Sequence, residues 1–151
     1  IRPGIMLYGA TPFGKPSNKL KPVMEFRAPI ALIKSISKST YVGYSRTFKA
    51  DHNMEIGLVQ GGYADGVPTS FSNKGIVAYK NQVIPIIGRV AFDITTIDIT
   101  DVDCSDFEYV TFWGGSNNKV RIENIAKICK KIPYELFTGI SRRVKRIYID
   151  S

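Results

Sequence analysis

The sequence predicts a mainly β domain, closed or sandwich-like, with one short amphipathic helix. Three observations predict it. Apolar residues alternate with polar ones in one segment after another. Glycine and asparagine pairs punctuate those segments at short intervals. A single stretch shows the three-and-four spacing of a helix buried along one face. At 151 residues, 44% hydrophobic and 23% charged, the chain suits one globular domain with a sizeable core.

Taken in order, residues 1–9 are apolar and glycine-bounded and read as a buried strand ending in a turn. Residues 10–22 carry Pro12, Gly14, Pro16, Ser17 and Asn18, the composition of a linker. Residues 23–37 place Met24, Phe26, Ala28, Ile30 and Leu32 on one face, against Glu25 and Arg27 on the other. Further strands are expected over 54–59, 75–80, 82–90, 93–100 and 108–113, with a closing strand over 142–149. Gly61-Gly62, Asp65-Gly66, Lys80-Asn81 and Gly114-Gly115 supply turn signals. Short strands so spaced argue a barrel or sandwich. The helix is read from Ile122, Ile125, Ala126, Cys129 and Ile132. Lys127, Lys130 and Lys131 crowd its last turns, where cations suit the helix dipole, and Pro133 is expected to stop it.

The net charge is +8, with basic residues concentrated near both ends. Either a polyanion binds there or the surface is a solvated face of a larger protein. The aromatic residues sit in strand-like runs, not between the basic ones, so nucleic acid is not the expected partner. A basic β-barrel nucleic-acid module remains the alternative from a different class. Cys104 and Cys129 are too few for a disulfide framework and lack zinc spacing. Cys129 reads as core packing, and a reducing cytoplasm fits. No apolar run reaches the length of a membrane span. With Ile1 at its start and no signal-peptide pattern, the chain is expected to begin inside a longer polypeptide.

Common catalytic signatures are missing. His52 stands alone, no His/Cys cluster suggests a metal, and no phosphate-binding glycine loop is followed by Lys-Ser or Lys-Thr. Asp93, Asp98, Asp101 and Asp103 read as exposed strand and turn residues. What recurs is tyrosine beside glycine: Tyr8-Gly9, Gly43-Tyr44 and Gly62-Tyr63. Glycine permits close approach and positive φ, so a phenol held there can point into a cleft.

Five strings, in order, resemble the alanine racemase family. They are Arg2-Pro3-Gly4-Ile5-Met6-Leu7-Tyr8-Gly9, Val42-Gly43-Tyr44-Ser45-Arg46-Thr47-Phe48, and Ile56-Gly57-Leu58-Val59 followed by Gly62-Tyr63-Ala64-Asp65-Gly66. Then come 83–93 with Pro85, Gly88-Arg89 and Phe92-Asp93, and finally Ile140-Ser141-Arg142-Arg143-Val144. The resemblance implies a remnant last strand of a cofactor-binding barrel domain over 1–9, a linker over 10–22 and a C-terminal β domain over 23–151.

The resemblance also implies a function. Such an enzyme interconverts L- and D-alanine for cell-wall peptidoglycan, using pyridoxal phosphate held by an N-terminal barrel. Two subunits form a cytoplasmic homodimer in which the β domain of one reaches the active site of the other. Racemisation needs a proton group on each side of a planar intermediate. Tyr44 would be one of them. A phenol ordinarily ionises near pH 10, so a nearby cation is expected. The other group, the Schiff-base lysine, would lie in the barrel, so the isolated chain is expected to be inactive. Arg2 would face the pyridine nitrogen, and Gly4 and Ile5 would offer N–H groups to the phosphate. Tyr63 and Arg89 would line the way in and position neighbours. Phe92, where methionine is commoner, would present its backbone N–H to the substrate carboxylate. Arg142, where many relatives have tyrosine, would pair with phosphate or point to solvent. Thr69 stands where several relatives carry arginine. These departures leave a serine racemase of the vancomycin-resistance type as an alternative.

Overall fold

The computed structural model describes residues 1–149. Eight strands alternate with turns: β1 (Phe26–Ile36), β2 (Tyr41–Val42), β3 (Phe48–Lys49), β4 (Met54–Val59), β5 (Ile76–Tyr79), β6 (Gln82–Pro85), β7 (Thr95–Asp98) and β8 (Tyr109–Trp113). Six form one antiparallel sheet in the order β6-β5-β8-β1-β4-β7. A bridge between Ile86 and Ile97 joins its two edges, so the sheet curls into a nearly closed barrel. The expected closed β domain is borne out.

Alternation builds the core as expected, with one correction. Phe26, Ala28 and Ile30 of β1 are buried, but Leu32 is exposed. The register against β4 shifts between Ile30 and Leu32. A bulge there turns the face over, leaving Ile33 packed against the core instead. The core is centred on Ile30, Val59, Ile84, Ile97, Val110, Phe112 and Trp113. The Phe26 ring lies 5.3 Å from that of Phe112 and 4.6 Å from that of Trp113. The β5–β6 hairpin turns at Lys80-Asn81 as read from the sequence, with Tyr79 opposite Gln82.

Helix α1 (Ile122–Cys129) buries Ile122, Ile125, Ala126 and Cys129. It stops earlier than expected. Lys130 takes a left-handed φ of 55°, its N–H donates to Lys127 O, and the Lys131 N–H reaches back to Ala126 O. Ile132 is therefore exposed, outside the helix. Pro133 opens a second helix, α2 (Pro133–Thr138), at the one position where its missing N–H costs nothing.

Both terminal expectations need correcting. Residues 1–9 do not form a strand: Gly4–Tyr8 is a 3-10 helix, with only Ile5 buried. Residues 142–149 pair with no strand. The Arg146 guanidinium donates to the carbonyls of Ile140, Ser141 and Val144, curling this segment on itself. Between them, residues 10–22 run as turns tied to α1. Buried Arg121 donates to Gly9 O and Leu20 O, and buried Glu123 accepts the Thr11 N–H. Among the described residues no helix is long and apolar enough to cross a membrane.

Candidate functional site

Tyr44 sits on a 3-10 turn, Tyr44–Arg46, that joins β2 to β3. A small second core of Val42, Ala50, Met54, Ile56 and Ile87 seats this hairpin on the barrel. Two glycines make the seat possible. Gly43 (φ 73°) and Gly88 (φ 72°) face each other, and a Cβ on either would meet backbone at 3.1 Å or less. The turn is fixed further by side chains. Arg89 Nη1 donates to Ser45 Oγ at 3.2 Å. Asn73 accepts the Gly88 N–H at 2.7 Å and donates to Thr47 Oγ1 at 3.1 Å.

An open cleft of about 350 Å³ lies beside this turn. Tyr44, Tyr63, Thr69, Ser72, Arg89, Val90, Ala91 and Phe92 line it. Four residues singled out from the sequence, Tyr44, Tyr63, Arg89 and Phe92, thus come together from three separate strings. Thr69 joins them. Arg89 brings a fixed positive charge to the cleft. The far wall is the loop carrying Phe92. Tyr63 and Ala64 donate their N–H groups to Ala91 O and Phe92 O, each at 2.9 Å. The Phe92 N–H has no acceptor among the described residues.

Arg2, Gly4 and Ile5 lie elsewhere. Ile5 lines a different, mainly apolar pocket of about 300 Å³ together with Glu123, Lys127, Lys131 and Tyr134. The two pockets share no residue. Gly4 is exposed with φ 58°, and a Cβ there would stand 3.1 Å from the Tyr134 hydroxyl. This leaves a small cradle of exposed backbone beneath a phenol donor. Arg2 is exposed beside it in sequence, while Arg142 is exposed at a turn and lines neither pocket.

Sequence reasoning missed Tyr134, Asp65 and Arg143. Arg143 Nε lies 2.9 Å from Asp65 Oδ1, and its guanidinium stands 5.4 Å from the centre of the Phe92 ring. Nothing local in the sequence links residues 65, 92 and 143, and Tyr134 follows a proline that reads as a helix stop. Among the described residues no group of three or more His, Cys, Asp or Glu side chains is placed to hold a metal ion.

Comparison with known proteins gives the family. The profile of the alanine racemase C-terminal domain matches residues 23–148. The chain belongs to this family. An alanine racemase of Vesicomyosocius okutanii is 46% identical over 144 residues, covering 95% of this chain and 40% of that protein. The alanine racemase of Geobacter sulfurreducens is 39% identical over 155 residues, covering 99% and 41%. Among solved structures, the alanine racemase of Streptomyces coelicolor superposes with a TM-score of 0.91 at 30% identity, covering 100% of this chain and 41% of that one. That of Bartonella henselae, solved with covalently bound pyridoxal phosphate, gives 0.89 at 33%, covering 97% and 40%. The chain thus spans about 40% of the length of the alanine racemases it matches.

The groups around Gly4 are donors of the kind an anionic phosphate needs. Gly4 and Ile5 carry backbone N–H groups and Tyr134 a hydroxyl near Gly4, while Arg2 is exposed two residues away in sequence. No lysine lines the Tyr44 cleft.

Proposed function

We propose that this domain supplies one side of the active site of a pyridoxal-phosphate-dependent alanine racemase, with Tyr44 as its proton-transfer group. The observation that carries the reading is the single cleft lined by Tyr44, Tyr63, Arg89 and Phe92. Moving a proton at the α-carbon requires an acid–base group on one face of the amino acid. Tyr44 is exposed on a turn that Arg89 and the Gly43–Gly88 contact hold in place, so its Oη has a fixed origin and room to reach a substrate. The unpaired Phe92 N–H suits a carboxylate. Tyr63 narrows the mouth by meeting the Phe92 ring edge-on at 5.6 Å.

Pyridoxal phosphate, when bound, supplies stabilisation of the negative charge left at the α-carbon. On this chain Gly4 and Ile5 would hold its phosphate through backbone N–H groups, with Tyr134 above and Arg2 toward the ring. That set shares no pocket with Tyr44. The separation supports a homodimer in which each chain gives its first residues to one active site and Tyr44 to the other. The remaining parts, a barrel domain and the Schiff-base lysine, belong to an N-terminal portion of a longer cytoplasmic polypeptide, and the 151 residues alone do not racemise.

The test is Tyr44→Phe in the complete racemase with cofactor. Loss of at least ~100-fold in kcat with an unchanged Tm is expected. A wild-type rate in that variant, or no alanine racemisation by the unsubstituted enzyme, would reject the reading.

A further inference from the structure

We propose that Arg143 is a positioning residue for the substrate carboxylate, acting through Asp65 and Phe92. The inference rests on the reading of Phe92 given above and adds a residue to it.

The guanidinium does two things at once. Its edge meets Asp65 Oδ1 at 2.9 Å, and its face covers the Phe92 ring at 5.4 Å from the centroid. Asp65 uses its other oxygen to accept the Gly62 N–H at 2.9 Å, closing the 62–66 turn. That turn lies directly on the Phe92 loop. A Cβ on Gly62 would stand 2.4 Å from Ala91 O and 2.5 Å from both Phe92 C and Asp93 N. The next two N–H groups bond to Ala91 O and Phe92 O. The Ser141 N–H reaches Asp65 O at 3.3 Å, so the segment carrying Arg143 is itself attached to the turn.

Phe92 is therefore held at its carbonyl by Ala64 and at its ring by Tyr63 and Arg143. The group left over is its N–H. Arg143 is half-exposed although Asp65 is largely covered, so the pair itself adds modest stability; what Arg143 contributes is geometric, a second hold on Phe92 that helps orient its N–H. Lysine can repeat the charge but not the planar stack. The reacting proton is moved by Tyr44, which Arg143 does not touch. Its loss weakens substrate binding more than chemistry.

The experiment uses the complete racemase with cofactor, assayed with L- and D-alanine. Arg143→Gln is expected to raise KM about tenfold while kcat stays within ~threefold. Asp65→Asn should behave alike, and the double variant should be no worse than either alone, because both act on one contact. Arg143→Lys should fall between. Lys145→Gln, an exposed neighbour, should leave KM unchanged. Thermal unfolding is measured alongside; if Arg143→Gln does not fold, Arg143→Lys and Asp65→Asn carry the same comparison. An unchanged KM in these variants, or a fall in kcat alone, overturns the proposal. If the unsubstituted enzyme does not racemise alanine, the functional reading fails first and visibly.

Discussion

Glu123→Gln tests how firmly the first twenty residues are bound to the domain. Glu123 lies in the first turn of α1 and is fully buried, where the helix dipole favours a carboxylate. Its Oε1 accepts the Thr11 N–H at 2.9 Å and stands 3.5 Å from Arg121 Nη2. Arg121 is buried too and otherwise meets only the neutral carbonyls of Gly9 and Leu20. Glutamine preserves the size and the Thr11 contact but removes what is, among the described residues, the one counter-charge of a buried guanidinium. It also places an amide NH2 where Oε2 now has no protein partner. Breaking a buried pair by removing one member costs about 3–5 kcal/mol. At ~2–4 °C per kcal/mol for a chain of this size, Tm should fall by roughly 6–20 °C. Urea unfolding can be followed by the fluorescence of Trp113, the single tryptophan, buried against Phe26. A loss of less than ~0.5 kcal/mol would refute the argument that this pair anchors the 10–22 segment. Replacing both members by apolar residues (Arg121→Met with Glu123→Leu) should cost less than Glu123→Gln alone.

Other outcomes follow from single contacts. Gly62→Ala drives a methyl into the backbone of the Phe92 loop; it should destabilise by about 1–3 kcal/mol and raise KM in the complete racemase, and a variant with wild-type Tm and KM contradicts the close approach. The Tyr79 O–H donates to Glu108 Oε2 at 2.6 Å and holds that carboxyl below its usual range, helped by the Ser105 N–H. A depressed folded pKa means the stabilisation is complete above the ordinary carboxylate value and is lost as pH falls through the depressed one. The Tm difference between wild type and Glu108→Gln should therefore close in acid, and a gap constant from neutral pH to about pH 3 would contradict it. Burial pushes both thiols up, so the contrast between them is one of access: an alkylating reagent should label half-buried Cys104 before buried Cys129, and equal labelling rates in the folded chain would show that α1 does not cover Cys129.

Local patterns were legible in the sequence, and long-range ones were not. The strand expected over 54–59 is β4 residue for residue, and Lys80-Asn81 marked the β5–β6 hairpin. Two-residue alternation misjudged Leu32, because a bulge adds a residue that periodicity does not register. The left-handed Lys130 hid the end of α1 for a similar reason: no glycine or asparagine announced it. At the site, Tyr44, Tyr63, Arg89 and Phe92 were legible only through family resemblance, since no spacing rule joins residues so far apart. Asp65 and Arg143 stayed hidden because their meaning is a contact across 78 positions, 143 − 65, created by folding. The terminal segments were misread as strands because Ile, Val and Tyr carry β propensity whether or not a neighbouring strand exists to pair with them.

The bridge between Ile86 and Ile97 is more than the closure of a sheet. The chain leaves it directly through Ile87, whose N–H bonds to Thr96 O at 3.0 Å, into Arg89, Val90, Ala91 and Phe92. The Ala91 N–H then bonds to Ile94 O, turning the chain back into β7. The wall of the cleft is therefore also the seam of the barrel. Widening the cleft on that side means unzipping the seam, so the two motions share one opening free energy. Amide exchange at Ile87 and Ala91 would follow the slow, sub-global opening of the barrel and not the fast fluctuation of a surface lid.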